Sequence, residues 1–210
     1  GEYQTHIIDI FKQYVKPNSI IIDVGANIGF FTMVYSKLMP SCHIHSFEMM
    51  PKTHKALVKT VKTNKLKNVT CHNIGLFDKD TIVNVGYKPY MLGHSFIHDD
   101  QNRDGTKAMC TILDKYNFKN VSFIKIDIQG AEYEALLGAK QTLIDNDCIV
   151  LAEFTRDKTL LQNNKIKYND TCKFMESIGY KMIKKKRKEY IFKKVINENI
   201  DEEIDEKSQM

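Results

Sequence analysis

The chain is predicted to fold as a doubly wound α/β domain with a mixed sheet, and three observations carry that expectation. Short β-branched runs alternate with amphipathic helical stretches along most of the 210 residues. The first such run ends in a glycine turn that opens into a helical pattern, as at the head of an α/β sheet. Two final β-like runs, "YKMIKK" and "EYIFKKV", lie close enough in sequence to close the sheet as an antiparallel hairpin.

The elements follow in order. An amphipathic helix is expected from Thr5 to Val15, stopped by Pro17. "SIIIDVG", Ser19 to Gly25, reads as a buried parallel strand. Phe30, Phe31, Val34 and Leu38 recur at helical spacing and are expected to pack that helix on the sheet. "CHIHSFE", Cys42 to Glu48, is the second strand. Pro51 opens a helix with Leu57, Val58 and Val61 inward and Lys52, Lys55, Lys59 and Lys62 solvated. "NVTCHNIGL" supplies a third strand ending near Asn73. Phe77 to Thr106 is the least regular stretch, with a hairpin around "TIVNVGY" and then a polar loop of the length a substrate lid requires. A helix from Met109 to Tyr116, a strand from Val121 to Ile128 and a helix from Ala131 to Leu143 come next, the last with Tyr133, Leu136 and Leu137 inward. "CIVLAEF", Cys148 to Phe154, is the fifth strand, and a helix near Asp170 to Ser177 precedes the hairpin.

The length suits one domain over residues 1–196, followed by an acidic tail, 197–210, expected to be mobile. That tail carries −5, so the remainder carries +10 within a net +5. Part of the positive charge lies in Lys181 to Lys194, read as a solvated lysine-rich surface, with nucleic acid as the alternative partner. Five dispersed cysteines without a C-x-x-C argue against a disulfide scaffold and for a reducing, cytoplasmic setting. No membrane span or signal peptide is read in the sequence. The chain opens on Gly1 rather than Met, which fits a processed product or an excised domain, with a neighbouring glycosyltransferase domain as one conceivable companion.

Ligands of such sheets lie beyond the carboxyl ends of the strands, where strand order reverses. Those ends present Asp23, Gly25, Asn27 and Gly29, then Glu48, then Asn73 and Gly75, then Asp127, and finally Glu153. Carboxylates at four strand ends are costly to bury unless they bind something. Gly25 and Gly29 permit a tight turn and close approach, and Glu48, nineteen residues past Gly29, can take both hydroxyls of a ribose. Either a nicotinamide dinucleotide or S-adenosylmethionine (SAM) fits that much. The turn "GANIG" lacks the middle glycine of the dinucleotide fingerprint, and Asp23 would repel a pyrophosphate while attracting a cation. A second group, "KIDIQGAEYEALLGA", adds Asp127 and Glu132, the latter in the first turn of a helix where a carboxylate is favoured.

"IIDVGANIGFFTMVYS", Phe47-Glu48 and "IKIDIQGAEYEALLGA" resemble the signature segments of the FkbM family of SAM-dependent methyltransferases, from about Ser19 to about Phe192. The resemblance implies a Rossmann-like class I methyltransferase with a mostly parallel seven-stranded sheet, and O-methylation of sugar hydroxyls in glycans or glycoconjugates. It implies that Asp23, Gly25, Asn27 and Gly29 cradle the methionine part of SAM, that Glu48 holds the ribose, and that Asn73 to Leu76, including Gly75, flank the adenine. Asp127 and Glu132 match the acids of the family's "DVEGAE". Gln129 stands where the family usually has glutamate; it keeps the size and a carbonyl, so tuning rather than inactivity is expected.

In-line methyl transfer needs an oxygen nucleophile held near the methyl while its proton is removed. Candidate bases are Glu153, Asp127 and His94, in that order. Glu153 could instead pair with Arg156 or a nearby lysine. His94 and His98 are four apart, but Gly93 precedes them and the segment reads as loop, so no metal site is expected. His43 and His45 alternate along a strand, on one side of a partly covered sheet. Competing readings are an RNA ribose methyltransferase, resting on the basic run, an NAD(P)-dependent oxidoreductase, and a non-catalytic binding module that kept the fold. The product of the favoured reaction is S-adenosylhomocysteine (SAH).

Overall fold

The computed structural model describes residues 2–87, 95–98, 105–154, 161–186 and 188–195. Helix α1 (Glu2–Tyr14) leads into β1 (Ile20–Val24), α2 (Phe30–Leu38), β2 (His43–Phe47), α3 (Pro51–Thr63) and β3 (Val69–His72). Strands β4 (Gly75–Leu76), β5 (Thr81–Tyr87), β6 (Ser95–His98) and β7 (Thr106–Thr111) precede a single 3₁₀ turn, Leu113–Tyr116. Then come β8 (Val121–Ile126), α4 (Glu132–Leu137), α5 (Lys140–Asp145), β9 (Ile149–Glu153), α6 (Leu161–Ser177), β10 (Tyr180–Lys186) and β11 (Glu189–Lys194).

The main sheet has seven strands in the order β10-β11-β9-β8-β1-β2-β3. Its first five members in chain order run parallel, and β11 lies antiparallel to both β9 and β10. This is the doubly wound, mostly parallel sheet with a C-terminal antiparallel hairpin that the alternation predicts. The chain leaves β1 toward β2 and β3, then crosses back to β8 on the other side. Order therefore reverses between β1 and β8, and a crevice opens there at the strands' carboxyl ends.

Residue alternation along the strands sorts the core into two layers. Ile21, Ile44, Phe123 and Leu151 face α1 and α2, where Phe11 stacks on Tyr35 at 4.2 Å between ring centroids. Ile22, Ile124, Ile126, Val150 and Phe192 face α4, α5 and α6. Side chains of this size each contribute about 2 kcal/mol when buried, which makes both layers strong determinants of the register.

Five expectations are corrected. Helix α2 does not bury Phe30, Val34 and Leu38; it buries Thr32, Tyr35 and Ser36, and Phe30 is 38% exposed. The reason is electrostatic: Thr32 Oγ1 donates to the buried Asp23 at 2.7 Å, and that pairing outweighs the apolar stripe. The helix expected from Met109 to Tyr116 is the end of strand β7 followed by the 3₁₀ turn Leu113–Tyr116, because "TKAMCT" alternates and its buried residues pair with β4 and β5.

The helix expected from Ala131 to Leu143 is two helices. A Cβ on Gly138 would sit 1.9 Å from the carbonyl oxygen of Phe77, so the chain bends there against a distant segment. Asp114 then caps α5, accepting from the backbone of Gln141 at 2.9 Å and Thr142 at 2.8 Å. The buried face of α4 is Glu132, Ala135 and Leu136 rather than Tyr133 and Leu137. Finally, α6 begins at Leu161, well before Asp170.

A second sheet, β4-β7-β5-β6, was not anticipated as a unit, although its β5–β6 pair is the hairpin read around "TIVNVGY". Its inner face packs Val83, Val85, Ala108 and Cys110 against Met50. No helix among the described residues is long and apolar enough to cross a membrane. The acidic tail 197–210 and Arg156 lie outside the described residues.

Candidate functional site

A cavity of about 330 Å³ opens at the reversal point, beyond the ends of β1, β2 and β8. Its polar wall consists of Asp23, Asn27, Glu48, Lys125, Asp127 and Gln129; Phe30, Phe31, Met49, Ile74 and Leu76 supply apolar surface.

The turn after β1 is shaped by backbone hydrogen bonds that side chains would obstruct. Gly25 and Ala26 both donate to the Phe47 carbonyl at 3.0 Å. Gly25 has φ 77°, and a Cβ there would meet the Asp127 carbonyl oxygen at 2.1 Å. Asn27 also lies in the left-handed region, and its amide donates to Glu48 Oε2 at 3.0 Å, while Met50 donates to Oε1 at 2.9 Å. Glu48 thereby ties the glycine turn to the start of α3. Burial raises its pKa, and the two backbone amides pull it back. Each oxygen retains a lone pair for a ligand hydroxyl.

Asp23 is fully buried on the wall. Thr32 occupies Oδ2, and Oδ1 has no hydrogen-bond partner. Burial raises its pKa, opposed by the charge of Lys125 and the Thr32 hydroxyl. Lys125 is the residue that sequence reasoning missed. It is 2% exposed, lines the cavity, and places Nζ 3.3 Å from Asp127 Oδ2 and 5.0 Å above the Phe31 ring. Burial alone would depress its pKa, but Asp127, Asp23 and Glu153 together raise it. A signal was present: a lysine inside the buried run "VSFIKIDI" must be paired to be tolerated.

Gln129, in the left-handed region at φ 56°, donates Nε2 to Asp127 Oδ1 at 2.8 Å. A glutamate carboxylate at this position could not donate that bond, so the departure from the family pattern has a local physical use. Gly75 lies on the wall against Cys110, whose thiol burial pushes up to about 11.

Four predicted residues stand off the wall. Gly29 begins α2, where a Cβ would meet Leu57 at 2.7 Å. Asn73 braces the loop behind the cavity, donating to the carbonyls of Glu48 at 2.9 Å and Met49 at 3.1 Å. Glu132 turns back onto the Gly130 amide, which reaches both carboxyl oxygens at 3.0 Å. Glu153 ends β9, buried, with Lys188 at 3.8 Å, the lysine pairing expected as its alternative role. His94 lies outside the described residues. His43 and His45 share one face of β2, where the His45 ring packs on Phe118 and its Nδ1 is 3.0 Å from His72 Nε2, and neither lines the cavity.

Burial raises the Glu132 pKa to about 7 against the pull of the Gly130 amide. Because the folded value lies above the unfolded one, this contribution to stability is full below about pH 4.5 and is lost as pH rises through about 7. Wild type is therefore expected to lose about 3 kcal/mol relative to Glu132→Gln between about pH 4.5 and about pH 8, read by urea denaturation. Parallel pH profiles for the two proteins would refute this.

A sequence profile described as the methyltransferase FkbM domain matches residues 23–182, from the acid of the glycine turn into the final hairpin. The chain belongs to the FkbM methyltransferase family. Methyltransferase 1 of Beauveria bassiana (strain ARSEF 2860) is 28% identical over 177 residues, covering 70% of this chain and 71% of that protein. Among solved structures, the FkbM methyltransferase of Methylobacillus flagellatus KT superposes with a TM-score of 0.56 at 16% identity, over 88% of this chain and 49% of that one. The chain thus spans about half the length of that FkbM protein. A Clostridium thermocellum protein provisionally assigned as an rRNA methylase gives a TM-score of 0.61 at 16% identity, over 92% of this chain and 94% of its own. At these identities the two structures establish the shared fold alone.

The residues present fit SAM. Asp23 offers a buried, unpartnered acceptor to a cation, Glu48 retains acceptor capacity for ribose hydroxyls, and the apolar strip Met49, Ile74 and Leu76 suits a flat base.

Proposed function

We propose that this FkbM-family chain is a SAM-dependent O-methyltransferase whose acceptor is a hydroxyl on a small molecule, with a sugar hydroxyl expected from the family resemblance. The observation that carries the cofactor reading is the charge of the cavity wall: three carboxylates, Asp23, Glu48 and Asp127, against one ammonium, Lys125. Such a wall attracts a cationic ligand and repels the pyrophosphate of a dinucleotide, which disfavours the oxidoreductase reading.

When bound, SAM would supply an electrophilic methyl group. The chain's own contribution is to bind, orient and take up a proton. Asp127 is the wall carboxylate most open to an acceptor, its side chain 26% exposed while Asp23 is fully buried and Glu48 is held by two amides. Gln129 and Lys125 fix the two Asp127 oxygens from opposite sides, so the carboxylate meets an acceptor hydroxyl in one orientation. Ile28, 57% exposed beside the cavity, and Phe30 give the mouth an apolar rim for the acceptor's body.

A small acceptor is favoured over RNA by the placement of the basic run. Three strands separate the lysine-bearing edge strand β10 from β1, about 19 Å of sheet, and no residue of β10 lines the cavity. Edge lysines also have a simpler use, blunting strand pairing between molecules. The dispersed cysteines fit a cytoplasmic setting.

Calorimetric titration with SAH and with NAD+ tests the cofactor reading. Binding of SAH at about micromolar Kd, without NAD+ binding, is expected. A folded protein that ignores SAH would overturn it. Transfer of labelled methyl groups to simple glycosides, but not to RNA, is the matching expectation for the acceptor.

A further inference from the structure

Charged side chains cross the sheet on the face shared with α1 and α2. Asp23 on β1, Lys125 on β8, Glu153 on β9 and Glu189 on β11 are all buried there, at the carboxyl ends of β1, β8 and β9 and the start of β11. A valine or isoleucine at position 125 would continue the strand at no electrostatic cost, whereas a buried lysine must be compensated. Among the described residues lining the cavity, Lys125 is the only cation.

Its position opposes the effect of burial on its neighbour's charge. Lys125 is the ladder partner of Asp23, and its second near acid, Asp127, lies two residues on, just past the end of β8. Asp23 also faces Thr32 and Tyr35 of α2, Ser46 of β2, and the carboxylates Glu48 and Asp127. Burial and the two carboxylates all favour a proton on Asp23. The Tyr35 hydroxyl, itself unpartnered, stays neutral because burial raises its pKa well above the usual value. The single opposing cation is Lys125.

We propose that Lys125 is the charge-setting residue of the cavity: placed opposite Asp23 and paired with Asp127, it holds Asp23 as a carboxylate whose free Oδ1 accepts the ligand's ammonium. The last clause rests on the cofactor reading above; the first does not. Lys125 thus acts through Asp23, as a positioning residue.

The test uses the full chain as wild type, Lys125→Met and Lys125→Arg. The Asp23 carboxyl carbon, assigned with Asp23→Asn, is followed by NMR against pH without ligand. In wild type and Lys125→Arg it is expected to be ionised at neutral pH, and in Lys125→Met its midpoint is expected to move upward by about one unit or more. Calorimetry with SAH gives the second readout. Wild-type affinity is expected to change less than about threefold between about pH 6 and about pH 8, while that of Lys125→Met falls about tenfold per unit below the new midpoint. A purely structural lysine would weaken binding equally at every pH.

An unmoved Asp23 midpoint in Lys125→Met would overturn the proposal. If that variant does not fold, a wild-type Asp23 still protonated at neutral pH would overturn it instead. Should Asp23 shift as expected while no protein binds SAH, the role of Lys125 stands and the cofactor reading falls.

Discussion

Glu48→Ala is expected to weaken SAH binding about a hundredfold, through two losses that a single carboxylate now prevents. The first is direct: the acceptor expected to meet the ribose hydroxyls disappears. The second acts through the chain. Asn27 and Met50 donate their amides to the two Glu48 oxygens at 3.0 and 2.9 Å, and both lose their acceptor when the carboxylate is removed. An unsatisfied buried donor costs about 1–3 kcal/mol, so the glycine turn and the start of α3 should loosen together. Glu48→Gln separates the contributions. It retains one acceptor oxygen and the side chain's volume, and is expected to lose about tenfold in affinity with a smaller drop in melting temperature. Calorimetry and thermal melts read both quantities. Near-wild-type affinity in Glu48→Ala would mean that the ligand's ribose is held elsewhere.

The ends of β1, β2 and β8 were legible because their chemistry is local. A β-branched run followed by "GANIG" has few ways to turn, and an acid closing the next strand is conspicuous in seven residues. What stayed hidden depends on partners remote in sequence. The burial of Thr32 and Ser36 in place of Phe30 and Leu38 follows from Asp23 needing a donor and from Asn68 lying beside Ser36, neither of which periodicity registers. The break at Gly138 follows from the Phe77 carbonyl, some sixty residues upstream. Strand β7 went unseen because period two and a helical pattern compete in six residues, and only pairing with β4 and β5 decides between them.

Lys125 illustrates the same limit inside the site. The strand-end acids read as ligand-binding groups because carboxylates are costly to bury, yet their shared counter-ion sits in the strand itself, within an apolar run that reads as core. Its presence changes the chemistry expected of the wall. Asp127 is held from both sides, by Lys125 and by Gln129, and so offers an oriented carboxylate rather than a mobile one. The departure at Gln129 and the lysine four residues earlier are therefore best understood together, as two donors serving one acid.

Gly25→Ala should be strongly destabilising, and Gly179→Ala is its control. The two glycines share nearly the same backbone, with φ 77° and φ 82°, so an alanine at either incurs left-handed strain of about 1 kcal/mol. Their surroundings differ. Nothing lies within 4 Å of a Cβ at Gly179, whereas at Gly25 it would meet the Asp127 carbonyl oxygen at 2.1 Å and Ile128 at 2.9 Å. Neither neighbour can yield cheaply: the carbonyl is backbone, and the Asp127 amide is itself bonded to Val24 at 3.1 Å across the same β1–β8 seam. Forcing the strands apart adds about 3 kcal/mol or more, which corresponds to a melting-temperature drop of about 10 °C, against about 3 °C for Gly179→Ala. Because the seam is the floor of the cavity, whatever Gly25→Ala protein remains folded should also lose SAH affinity, while Gly179→Ala binds as wild type. Equal melting temperatures for the two variants would show that strain alone, and not the approach of Gly25 to Asp127, accounts for a glycine at this turn.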